Sequence, residues 1–485
     1  MLKENDIIQK VLLTIEQYKG NANIFKNSVL NNEYTSKKSN FTRLLVWKTC
    51  FITESLNLQA WETNLKTSRV IYHKLRQSQE MQLPWWKLDI DSPFYAPEIV
   101  DRITKLSKPQ RLVRVQNVQN DPLVLKSRSP TPLGPYEISE EDVDLLQSII
   151  LDIHRLFPGE KLFHDETNAA LQTKKQLVSI LYIWSKCNPQ VGYKQGIHEI
   201  LGLLYLNLLA ESVEIPNTNT FSSDDLRILS LYDVHYLLHD LFTILNRFLI
   251  SSGVISQFYQ TETHLMASIE HFNGMLMKTD QLIHYNLITK LRLESQLWII
   301  RYLRLLLLRE LGSNLEIPSL LWDKLAACQL LAGNGQQCIP DLIMFIIAVL
   351  LVHIKTELVL CDFSEALSLL LHFPITSRLN QDPEFVDKVF KDALHLYENK
   401  DNDLKLYEYG LKLNKKYNSR LRVSVGYTSG DSPSNSLSAV SSPKLSTEVT
   451  RSIPTAEDSR AAKMAFEKVR MEMRLKKKAQ LMLRN

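Results

Sequence analysis

The chain has 485 residues, 45% hydrophobic and 23% charged, which is ordinary globular composition with ample length for a large core. Its formal net charge of +4 is unevenly placed: residues 456–485 carry nine Arg and Lys against four Asp and Glu, a net of +5 that leaves −1 for residues 1–455. A basic nucleic-acid-binding body is thereby excluded, and nucleic acid is not expected as a partner.

The five cysteines, Cys50, Cys187, Cys328, Cys338 and Cys361, form no C-x-x-C pair and mostly fall in apolar runs. They are expected to be reduced core residues of a cytosolic protein. Met1–Asp6 shows no basic segment followed by an apolar one, so no secretory signal is expected. The longest clean apolar run, Leu342–Val352, is too short to span a bilayer, and Leu483-Arg484-Asn485 is not a prenylation box.

Residues 1–40 open with a short helix carrying Ile7, Val11, Leu12 and Ile15, followed by a polar segment. Phe41–Lys48 reads as an amphipathic helix that buries Trp47. A helix follows around Ala60–Gln77. Residues 78–138 are then broken by Pro84, Pro93, Pro97, Pro122, Pro130, Pro132 and Pro135. Asn120-Asp121-Pro122-Leu123 ends an extended piece, and Ser129-Pro130-Thr131-Pro132 is an exposed loop.

A well-signed helix starts at Ser139, with an acid, Asp142, three residues on in the manner of a capping box. Val143, Leu146, Ile150, Ile153 and Phe157 form its apolar stripe, and Pro158-Gly159 stops it. At 100° per residue Arg155 lies about 140° from Ile150, so it points off the stripe. Asp152 and Arg155 are i,i+3 neighbours and can pair. On its own Arg155 reads as a surface cation near a helix C-terminus.

Residues 167–187 form another helix, which leads to Asn188-Pro189, a turn signal, and then to Val191-Gly192-Tyr193-Lys194-Gln195-Gly196-Ile197-His198. The apolar run Ile197–Leu209 makes this a loop feeding a helix. Gln195 then sits at the helix mouth, either as a structural cap or where free N–H groups favour an anion. Farther on, a polar loop spans Asn217–Asp225. Helices are expected at 233–250, 255–277, 293–311, 318–332, 340–353, 363–373 and 383–398.

No strand run, internal repeat, phosphate-binding G-x-x-x-x-G-K-[ST] loop, G-x-G-x-x-G or H-E-x-x-H occurs. His198, His235 and His239 lack metal-ligand spacing and read as structural. Residues 423–455 are a Ser/Pro-rich linker that cannot bury enough apolar surface to order itself. Thr455-x-x-Asp458 caps a final basic helix over 456–485. That helix is suited to an anionic membrane, a short coiled coil or loose packing on the body.

Together, Ile149-x-x-Asp152-x-x-Arg155 and Tyr193-x-Gln195-Gly196 resemble the two signature motifs of the TBC domain, found in GTPase-activating proteins for Rab GTPases. They stand in the family's order, 40 residues apart between Arg155 and Gln195. Arg43–Lys48 resembles the family's Arg-x-x-x-Trp-Lys opening. Arg301–Glu310 resembles its Arg-Trp…Arg-Glu-Phe helix, with Tyr302 and Leu311 replacing Trp and Phe as core residues. Leu321-Trp322-Asp323 matches its Trp-Asp, and Leu370–Pro374 matches a late helix end. The resemblance spans residues 41–375, with the irregular insert at about 78–138 and a loop at 212–230 unlike other members. The flanking regions are an N-terminal helical extension, 1–40, and a C-terminal one, 376–422. Asn120–Leu123, the long insert and His198, where many members carry Asn, are similar to the branch containing the animal retromer-associated TBC protein and fungal proteins of endosome-to-Golgi traffic.

The resemblance implies an all-α, multi-helix fold and an activator rather than an enzyme. By it, Arg155 and Gln195 are the arginine and glutamine fingers. Ile149, Asp152, Tyr193 and Gly196 support them or contact the Rab, with Asp152 holding Arg155 at rest. Trp47, Arg301, Trp322 and Asp323 are structural motif residues. No cofactor or metal is expected, since Mg²⁺ and GTP belong to the Rab. Further expectations are a cytoplasmic location and peripheral contact with Golgi or endosomal membranes or with a coat complex. A catalytically weak scaffold is the alternative, and loss of a finger would favour it; neither is lost. An unrelated helical adaptor would show a fixed repeat, which is absent.

Overall fold

Apolar residues spaced three and four apart put most of the chain into helices, as expected for an all-α protein. The computed structural model describes residues 2–35, 40–96, 139–165, 167–215, 221–312, 314–331, 337–419 and 421. Among these residues the one β pairing is an isolated parallel bridge between Val213 and Asp233. Asn120–Leu123, Ser129–Pro132, the Ser/Pro-rich tract and the basic segment 456–485 lie outside the described residues.

One continuous apolar core runs through the molecule. Trp47, Trp61, Trp184, Trp298 and Trp322 are all buried in it. The run Leu342–Val352 belongs to the helix Cys338–His353, apolar on nearly every side and buried accordingly. It packs against Phe385–Glu398, Glu262–Thr279 and Asp403–Tyr417. Among the described residues no helix is long and apolar enough to cross a membrane.

Both flanking regions join this core. Leu2–Gln17 and Ala22–Leu30 pack on Ser223–Tyr232 and Glu316–Ala327 and bury Ile7, Val11, Phe25 and Val29. Leu12, expected on the apolar stripe, is instead exposed. Ala22–Leu30 falls in what reads as a polar segment. Asn21 starts it, its side chain accepting from the amides of Asn23 and Ile24.

Several expectations need correcting. The helix Arg43–Lys48 is not amphipathic, since all six residues are buried, Arg43 and Lys48 included. Each cation is matched inside the protein. Arg43 binds Asp323 and Glu316, and Lys48 binds Asp240 at 2.6 Å beside Arg69. The expected loop 212–230 ends early, because Ser222 and Asp225 close a capping box that starts the helix Ser223–Tyr232. The expected 255–277 helix is two, Val254–Phe258 and Glu262–Thr279, the second capped by Thr261.

The expected 293–311 helix breaks between Gln296–Arg304 and Leu308–Leu311, where Leu306 and Leu307 take left-handed backbone angles (φ 48° and 65°). Such angles are unfavourable for Leu. Here buried packing and the bond from Trp322 Nε1 to the Leu306 carbonyl (3.0 Å) hold them. Of the cysteines, Cys50, Cys328 and Cys338 are buried as expected, but Cys361 is half-buried and Cys187 is exposed.

Candidate functional site

The helix Glu140–His154 begins on Ser139, whose hydroxyl accepts from the Asp142 amide at 3.2 Å. Three acids fill its first turn, favourable at the positive end of the helix dipole. Asp142 reaches Lys186 on the next long helix, Asn168–Cys187, at 2.6 Å. Leu146, Ile149, Ile150 and Ile153 face the core. The helix ends three residues before Phe157, with Arg155 as its C-cap (φ −100°, ψ 10°) and Phe157 at φ 39°.

Arg155 points off the buried stripe, and its side chain is 58% exposed. Its guanidinium rests on Asp152, Nε donating to Oδ1 at 3.0 Å and Nη2 donating to the same oxygen. Asp152 itself is buried. Its other oxygen, Oδ2, accepts the hydroxyl of Tyr193 at 2.7 Å. Burial holds the Tyr193 phenol well above its ordinary pKa, reinforced by the bond to Asp152, so it remains the donor.

Tyr193 lies in the turn ahead of the helix Ile197–Glu211. Gly196 caps that helix with φ 107°, a conformation a β-carbon disfavours. A Cβ there would also meet Leu305 Cδ2 at 3.0 Å. Gln195 precedes it, exposed, while at this helix end His198 Nδ1 accepts from the Gly196 amide at 3.3 Å.

The structure thus joins the two motifs through one hydrogen bond, Tyr193 to Asp152. Arg155 and Gln195 stand exposed, and Tyr193 is half-buried between their segments. Ile149 and Gly196 are buried. Of the structural motif residues, Trp47, Trp322 and Asp323 lie deeper, while Arg301 is half-buried. Trp47 and Arg43 meet on Asp323, Trp322 holds the Leu306 carbonyl, and Arg301 binds Glu310 and the Leu371 carbonyl, both at 2.6 Å. An open groove of about 480 Å³ runs from Arg155 past Glu199 to Arg301 and His372.

Three participants are not evident from sequence. His198, read as structural, is buried with Nδ1 3.0 Å from the Tyr193 oxygen. Glu199 is gripped by both Arg309 Nε (2.9 Å) and Nη2 (2.7 Å). Gly202 has no room for a methyl group, since a Cβ would fall 2.8 Å from Leu156, the neighbour of Arg155. Sequence marks Glu199 only as a polar residue beside an apolar run and Gly202 only as a glycine within a helical run, while His198 stands out only where many family members carry Asn. Among the described residues no group of three or more His, Cys, Asp or Glu is placed to hold a metal.

A family model, the Rab-GTPase-TBC domain, matches residues 126–359. TBC1 domain family member 5 of Mus musculus is 22% identical over 261 residues, 48% of this chain and 30% of that protein. The GTPase-activating protein gyp1 of Schizosaccharomyces pombe is 22% identical over 273 residues, 56% of this chain and 47% of that protein. The match thus spans less than half the length of these curated relatives. The crystal structure of the Ypt/Rab-GAP domain of Gyp1p covers 81% of this chain and 98% of its own, with a TM-score of 0.54 at 16% identity, and so shares the fold. This chain carries a Rab-GTPase-TBC domain.

Proposed function

We propose that the protein is a GTPase-activating protein for a Rab-family small GTPase, with Arg155 as arginine finger and Gln195 as glutamine finger, both supplied in trans. The hydrolysed GTP and its Mg²⁺ belong to the Rab, so this chain is an activator rather than the enzyme. Arg155 adds a fixed positive charge where charge develops on the transferring phosphoryl group, an effect worth about 10³–10⁵ in rate. Arg suits the task because it stays charged and its fork matches phosphate oxygens. The Gln195 amide donates and accepts, so it can orient the attacking water against a phosphate oxygen.

The observation that carries the reading is the 2.7 Å bond from Tyr193 to Asp152, which ties the segments bearing the two exposed side chains. A bland surface cation and a bland helix cap would need no such link. The branch features of the sequence extend the proposal to a Rab of endosome-to-Golgi traffic, with the protein peripheral on membranes there or in contact with a coat complex.

The test is GTP hydrolysis by a panel of purified Rabs, with wild-type protein beside Arg155→Ala and Gln195→Ala. Acceleration of a Rab that falls by about 10³ or more in both variants is the expected result. Loss in Arg155→Ala alone would leave the water to the Rab's own glutamine. If wild-type protein binds a Rab yet accelerates none, it is a scaffold.

A further inference from the structure

His198 sits where the two finger-bearing segments meet, and nearly all of it is out of water (2% exposed). Buried polar groups are in the great majority hydrogen-bonded. Its Nδ1 lies 3.0 Å from Tyr193 Oη, 3.3 Å from the Gly196 amide nitrogen and 3.5 Å from Asp152 Oδ2. One atom therefore faces the turn that presents Gln195, the tyrosine that joins the motifs and the carboxylate under Arg155. On the far side Nε2 lies 4.0 Å from Glu199, which Arg309 holds with two nitrogens.

We propose that His198 is a positioning residue that couples the two fingers, fixing Tyr193 against Asp152 and bracing the Gly196 turn in the same act. The inference rests on the proposed Rab-activating function. With its proton on Nε2, on the side of Glu199, the neutral ring leaves Nδ1 to accept from the Gly196 amide and from the Tyr193 hydroxyl, whose proton is shared with Asp152. Burial favours the neutral ring, although Asp152 and Glu199 oppose it. Neutrality matters, because an imidazolium 3.5 Å from Asp152 would compete with Arg155 for the carboxylate.

The test compares His198→Asn, His198→Gln and His198→Leu in the full chain. An Asn amide places a polar atom where Nδ1 stands, Gln places it farther out and Leu places none. In GTP hydrolysis, His198→Leu and His198→Gln should lower kcat by about 10- to 100-fold with little change in KM, and His198→Asn should stay within about 3-fold of wild type. In an Arg155→Ala/Gln195→Ala background the His198→Leu loss should vanish, since neither finger is left to position. A merely structural role would give the same loss in both backgrounds and overturn the inference.

A second arm needs no Rab. Amide hydrogen exchange should rise about tenfold at residues 153–157 and at 192–197 together in His198→Leu, and stay near wild type in His198→Asn. A rise at one segment alone, or equal rises in the Asn and Leu variants, overturns the coupling. Inactive wild-type protein with coupled exchange would instead count against the proposed function and leave the coupling standing.

Discussion

The indole of Trp47 donates to Asp323 Oδ1 at 2.8 Å, across 276 positions of chain, and Arg43 closes on both oxygens of the same carboxylate at 3.1 and 2.9 Å. Asp323 is wholly buried, and Arg43 reaches onward to Glu316. Removing one partner from such a pair strands the other charge in the core. Asp323→Ala is therefore expected to destabilise the fold by about 3–5 kcal/mol. Chemical denaturation of the variant checks this, and a loss below about 1 kcal/mol would mean that water reaches Arg43.

Gly202 lets the helix Ile197–Glu211 come close to the residues that follow Arg155. An added Cβ would stand 2.8 and 2.9 Å from the Leu156 methyls and 3.1 Å from the Phe157 ring. Gly202→Ala should cost about 1–3 kcal/mol by overpacking. By shifting Leu156 it should also misplace Arg155 and, on the proposed reading, lower kcat by about 10- to 100-fold. Gly274→Ala is the control: a methyl group there meets nothing within 4 Å, on a helix, so it should stabilise by about 0.4–1 kcal/mol and leave activity alone. Thermal unfolding and single-turnover hydrolysis measure both.

Asp152→Asn keeps an acceptor for Tyr193 but removes the charge under Arg155. Activity should fall about tenfold or more, yet remain above that of Arg155→Ala, because the guanidinium is still present but no longer held. Equal losses in the two variants would mean that Asp152 does more than hold the arginine.

His353 should make stability depend on pH. Burial, aided by Arg378, holds its pKa at about 4, against 6.5 for an ordinary histidine. Its Nε2 is buried without a partner, and its ring packs on Phe385 and Tyr417. The unfolded chain takes up the proton first, so this contribution is complete above pH 6.5 and is lost as the pH falls towards 4. Between pH 7 and 4.5 the loss should be roughly 2–3 kcal/mol. Urea unfolding at the two pH values should show it, and His353→Phe should remove that share of the difference.

Regular helices and the direction of Arg155 were legible because both follow from local spacing. The helix expected at 167–187 is Asn168–Cys187. Ser139 caps where its side chain predicts, and the periodicity that buries Ile150 and Ile153 turns Arg155 outward. What was hidden depends on partners far along the chain. Arg43 and Lys48 look like surface charges until Asp323 and Asp240 are brought to them. The run Leu305–Leu307 contains no turn residue, and only packing beneath the Trp322 indole bends it. The capping box at Ser222 is local and was readable, but the polar loop drawn across it concealed the helix behind.

Asp152 spends its two oxygens on different partners, one on Arg155 and one on Tyr193. The arginine therefore waits on an anion of the protein's own, a stand-in for the phosphate it would meet. On the proposed function, docking would exchange one anion for another, with little new order demanded of the side chain. Were Arg155 to swing out in that way, the carboxylate left behind would still hold the tyrosine, so the cradle would keep its shape while empty. Product departure, on the same proposed function, would return the guanidinium to that seat and reset the site for the next GTPase without rebuilding.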